Sequence, residues 1–120
     1  MKHLSILCLL VFSSTLYAGK ADVREVKVHC PIPQSCTFNV TVQHADAGWE
    51  HYANQWDILG PDGSLLASRV LYHPHVNEQP FTRSLSGVNI PASIHKVTVR
   101  ARDLKHGWGG KEMSVTLPAH

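Results

Sequence analysis

From Cys36 to Gln43, apolar and polar side chains alternate one for one: Cys36, Phe38, Val40 and Val42 against Thr37, Asn39, Thr41 and Gln43. A period of two belongs to a β-strand with one buried face. The same pattern recurs along the chain. Val26, Val28 and Cys30 alternate with Lys27 and His29, predicting a strand over 23–30. Tyr52, Asn54, Trp56 and Ile58 share a face of a third strand, and Leu66, Ser68, Val70 and Tyr72 form a returning fourth. Phe81 to Ile90 reads as a fifth, bent at Gly87. Val97, Val99 and Ala101 mark a sixth, and Met113, Val115 and Leu117 a seventh.

Between these runs stand turn and breaker residues. Pro31-Ile32-Pro33-Gln34 interrupts the first two strands, and Gly60-Pro61-Asp62-Gly63 is a turn in which proline presets one dihedral and Asp-Gly tolerates the left-handed one. Prolines bound the loop from His73 to Pro80, and Pro91 ends the fifth strand. No helical periodicity and no repeat appears. Seven short strands in roughly 100 residues predict an all-β fold, an immunoglobulin-like antiparallel β-sandwich, with Trp56 on the third strand plugging the core. A small barrel is the alternative architecture.

The start of the chain falls outside this pattern. Lys2 is followed by an apolar run from Leu4 to Phe12, and Leu16-Tyr17-Ala18 ends on a small residue. That is the layout of a secretory signal peptide over residues 1–18, too short to span a bilayer. Residues 19–120 then form a single domain, exported to a periplasmic or secreted location. Cys8 belongs to the leader, which leaves Cys30 and Cys36 on inward-facing sets of neighbouring strands. In an exported chain such a pair reads as a disulfide. Asn39-Val40-Thr41 is a glycosylation sequon only in a host that uses one.

Charge excludes some partners. Of 11 Lys+Arg and nine His, Lys2 and His3 lie in the leader, so the remainder carries 10 Lys+Arg against 9 Asp+Glu, without a basic run. Neither nucleic acid nor an anionic membrane surface is a natural partner for that balance. No later segment is apolar enough for a membrane span.

Histidine changes the picture, with eight beyond the leader. In an up-and-down sandwich the connections alternate between its two ends. The 43–51, 73–80 and 103–111 loops then share one end, which gathers His44, His51, His73, His75 and His106. His29, His95 and His120 fall elsewhere. Several imidazoles from separate strands can preform a site for a transition metal, with iron or copper favoured over zinc. His44, His51 and His106 are the first candidate ligands, with His75 or His73 as a fourth. Asp103 would serve as an axial or outer carboxylate, Asp46, Glu50 and Glu78 could orient imidazoles, and Trp49 and Trp108 would shield the rim.

His44 with Glu50-His51-Tyr52, and Asp103-Leu104-Lys105-His106-Gly107-Trp108, are similar to the two histidine motifs of the superoxide reductases, the iron domain of desulfoferrodoxin and neelaredoxin. The resemblance covers roughly residues 36–117. It implies an immunoglobulin-like sandwich holding a non-haem iron by four histidines and a cysteine. Asp103 stands where that family has its thiolate, and the interval from His44 to His51 is one residue longer. The family's Glu-Lys-His loop before the first long strand has no counterpart here, with His73 or His75 as the geometric substitute. A carboxylate at 103 makes a harder, oxygen- and nitrogen-rich site.

Three functions follow. The first is an exported, superoxide-reductase-like metal-binding domain that carries or buffers its ion. The second is an oxidoreductase acting on superoxide or peroxide at an open metal position. The third is a metal-free module that binds a protein partner at the loop end, anchored by Trp49, Trp108, Phe81 and Tyr72. Phe81 has a competing place in the core.

Overall fold

The structure, a computed structural model, describes residues 19–118; the proposed leader and His120 lie outside the described residues. Seven strands follow one another: β1 (Asp22–Ile32), β2 (Ser35–Gln43), β3 (Ala53–Leu59), β4 (Leu65–Val70), β5 (Phe81–Asn89), β6 (Lys96–Asp103) and β7 (Met113–Thr116). They form two antiparallel sheets, ordered β1-β2-β5 and β4-β3-β6-β7, packed face to face as a β-sandwich. The barrel alternative is thereby replaced by two separate sheets. Among the described residues no helix is long and apolar enough to cross a membrane.

The core is what the alternation dictates. Phe38, Val40 and Val42 of β2 face Trp56 and Ile58 of β3 and Val97, Val99 and Ala101 of β6, all at most 2% exposed. Burying a large apolar side chain of this kind contributes about 1.5–3 kcal/mol relative to exposure. Trp56 is the largest of the fully buried set, in the place the sequence predicts for the plug.

Three local expectations are corrected. The Pro31-Ile32-Pro33 break does not end β1, which stays paired as far as Ile32↔Ser35 and turns only at Pro33-Gln34, with Gln34 at φ 66°. β1 is an edge strand with β2 as its sole neighbour, so a proline there forfeits no sheet bond on its outer side. On the fourth strand the inward residue near the end is Leu71, 2% exposed, while Tyr72 stands in solvent at 73%. A bulge between Ile58 and Leu59 shifts the β3–β4 register and with it the phase of the faces. The connectivity is also not up-and-down, because the β2–β3, β4–β5 and β5–β6 links each change sheet. Every strand still reverses its predecessor, so the loops 44–52, 71–80 and 104–112 do share one end.

The bend at Gly87 takes the form of a bulge. Cys36↔Val88 and Phe38↔Leu85 leave an extra residue on β5, and Gly87 adopts φ 67°, open to glycine without strain. At the opposite end from the histidines, a disulfide joins Cys30 to Cys36 beside a cavity of about 300 Å³ lined by Ile90, Ile94, His95 and Leu117.

Candidate metal centre

Two core strands run straight into the site. On β2 and its continuation, Cys36, Phe38, Val40, Val42, His44 and Asp46 are all buried, with the period of two unbroken as apolar side chains give way to polar ones. On β6, Val97, Val99 and Ala101 are followed on the same face by Asp103, fully buried. His51, 8% exposed, enters from the loop before β3. The site is thus the end of the hydrophobic core, where its last layer is built from imidazole and carboxylate.

The distances are those of convergence on a point. His44 Nε2 lies 3.2 Å from His51 Nε2, and His51 Nε2 lies 2.8 Å from Asp103 Oδ2. His44 Nε2 to Asp103 Oδ2 is 3.8 Å. A tetrahedral ion with bonds of about 2.0–2.1 Å sets its ligands roughly 3.3 Å apart, in the middle of this range. The three residues therefore form a buried cluster able to hold a metal ion.

Proton bookkeeping leads to the same place. His44 Nδ1 is 2.6 Å from Asp46 Oδ1, an acceptor, so neutral His44 carries its hydrogen there. That leaves a bare lone pair on Nε2, facing the Gly19 carbonyl oxygen at 2.9 Å as well as His51. Lone pairs held so close repel unless positive charge sits among them, either a proton or a metal ion. Asp103 shows the same polarity. Its Oδ2 lies 2.8 Å from His51 Nε2, 2.9 Å from the His106 ring nitrogen Nδ1, and accepts from the amides of Lys105 and His106 at 3.1 and 2.9 Å. Its Oδ1 is buried without a hydrogen-bond partner among the described residues.

Asp46 holds the frame together. It takes the His44 ring and the Ala53 amide on Oδ1, and the His75 amide on Oδ2 at 2.7 Å. Gln79 makes a second tie, accepting the His44 amide and donating to the His75 carbonyl. Burial alone would raise the Asp46 carboxyl, but the His44 ring and the amides of His75 and Ala53 outweigh it and hold it below the usual carboxylate range. For Asp103 burial also pushes upward, and the His106 amide, the His106 ring and His51 reverse the sign. Both carboxylates stay ionised, the state in which they can bind a metal.

The structure brings His44, His51 and Asp103 together and sets His106 against Asp103, its ring 4.9 Å from that of His51 and its side chain 38% exposed. His75 lies one layer out. Its ring stacks on Phe81 at 3.9 Å, both its nitrogens lack hydrogen-bond partners among the described residues, and burial followed by the nearby Arg83 and His73 charges lowers its pKa. His73 is exposed, as is Glu50, and Glu78 is exposed and paired with Arg83 at 3.3 Å. Of the proposed anchors, Phe81 is 1% exposed and so belongs to the core, while Trp108 is covered by the Arg100 guanidinium at 3.9 Å. Of the carboxylates expected to orient imidazoles, Asp46 does so, on His44, and its place follows from the unbroken period from Cys36. Sequence reasoning missed the Gly19 carbonyl, which had no signal.

Over 103 residues the chain is 35% identical to a Halomicrobium mukohataei protein named "Putative lipoprotein". The match covers 86% of this chain and 50% of that protein, so the chain spans about half the length of the relative it matches. No family model and no solved structure matches the chain.

Proposed function

We propose that this chain is an exported metal-binding domain whose ion is held by His44, His51 and Asp103, with His106 closing the solvent side. The observation that carries it is the convergence of two imidazole Nε2 atoms and a carboxylate, all in residues under 10% exposed, at the separations one ion imposes. Two imidazoles and one carboxylate are the donor class of non-haem iron sites, and they suit copper also. Export is supported by the leader-like start, by the disulfide, and by a relative named as a lipoprotein. The ion would act as a Lewis acid or one-electron centre, while this chain's residues hold and orient it. A superoxide-reductase-like role would use the solvent side bordered by His106, where the carboxylate at 103 donates less electron density than a thiolate.

Elemental analysis of untagged protein from the exported fraction tests this. About one iron or copper per chain is expected, lost in His51→Ala. Metal-free protein that binds neither ion would mean that a proton on His44 balances the two carboxylates, leaving a buried ion-pair network. A second reading, docking of a protein partner at the same end, is favoured by the exposure of Trp49 at 66% and Tyr72 at 73%.

A further inference from the structure

The segment before β1 is fastened over the cluster. Ala21 is fully buried, the Lys111 amide donates to Asp22 Oδ1 at 2.7 Å, and the Val23 amide donates to the Lys111 carbonyl at 2.8 Å. The backbones approach so closely that a Cβ on Gly110 would stand 1.9 Å from the Ala21 carbonyl oxygen. This strap brings Gly19 to the site, its carbonyl oxygen 2.9 Å from His44 Nε2. In the sequence, Gly19 directly follows Leu16-Tyr17-Ala18, the small-residue end of the leader.

We propose that removal of the leader after Ala18 completes the metal centre, the freed α-amine of Gly19 becoming a ligand beside His44, His51 and Asp103. The inference rests on the metal-binding reading above. A free α-amine offers a metal a nitrogen lone pair that an amide does not. Amine nitrogen and carbonyl oxygen of one residue close a five-membered chelate ring on an ion. Three nitrogens and carboxylate oxygen then favour tetragonal Cu(II) over the harder alternatives. In the precursor the same nitrogen is an amide and a poor ligand, so the full site exists only after export and processing. The ion would be acquired outside the cytoplasm.

The test compares three forms of the protein: one beginning at Gly19 with a free amine, one extended by Ala18, and one Nα-acetylated at Gly19. Each is titrated with Cu(II) against a competing chelator and examined by electron paramagnetic resonance. Loss of even an outer partner costs a metal site 10–100-fold in affinity, so blocking the amine should weaken Cu(II) binding by about tenfold or more. The nitrogen hyperfine pattern should simplify by one nitrogen, with unchanged circular dichroism. Equal affinity and identical spectra in all three, with binding still abolished by His51→Ala, would overturn the amine ligand and leave the histidine site standing. Failure of the free-amine form to bind Cu(II) at all would overturn the amine-completed copper centre, and the histidine site would then stand or fall on its iron content. Mass spectrometry of exported protein should give a chain beginning at Gly19, and any other first residue contradicts the proposal.

Discussion

Asp46 sets the geometry of the histidine end, because it receives the His44 ring and two amides from separate segments. Asp46→Ala would orphan three buried donors, each costing about 1–3 kcal/mol. A loss of about 3–5 kcal/mol is expected, with Tm falling by on the order of 20 °C for a domain of this size, and Asp46→Asn, which keeps one acceptor oxygen, losing less. The pH profile follows from the same residues. Asp46 and Asp103 are held below the ordinary carboxylate range. Their stabilisation is therefore complete above about pH 4, the unfolded value, and is lost as pH falls through the lowered folded values. His75 is held neutral, so its share is complete above about pH 6.5 and declines as pH drops below that. Urea unfolding of metal-free protein across pH should show the acid decline below about pH 4. Between about pH 6.5 and 5, wild type should lose stability relative to His75→Phe; parallel profiles would contradict the buried neutral imidazole.

At the level of the strands, β2 and β6 do two jobs in sequence along one face. Their inward residues fill the core, and the next on the same face, His44 and Asp46 just beyond β2 and Asp103 at the end of β6, form the site. That continuity is why much of the centre was legible in the sequence. A period-two pattern predicts which side of a strand a residue takes, whether or not that residue is apolar. The phase of β4 and the persistence of β1 through Pro31 were not legible, because register shifts and edge position are settled by partners far along the chain. His73 and His75 flank Pro74 in a loop without a regular period, so no pattern told which turns inward; in the structure it is His75, stacked on Phe81. The β1–β2 hairpin separates fold from site. Cys30→Ala with Cys36→Ala opens a short loop at the far end and should cost about 2 kcal/mol, leaving metal content unchanged. A loss of metal in that variant would mean the two ends are coupled through the sandwich.

For the molecule as a whole, the sandwich acts as a rigid frame that delivers loops from both sheets to one end. Reversal of each successive strand was enough to predict that gathering, even though three links change sheet. The N-terminal strap was invisible beforehand, since nothing in Gly19-Lys20-Ala21 marks a contact with residues near 110. The exposed Trp49 and Tyr72 at the same end give that frame a surface on which a partner could meet the centre. Anomalous diffraction from crystals of exported, untagged protein, collected at the iron and copper edges, addresses the central claim most directly. The account predicts a single peak bonded by His44 Nε2, His51 Nε2 and a carboxylate oxygen of Asp103. A peak at His73 and His75 instead, or none where those three side chains meet, would contradict it.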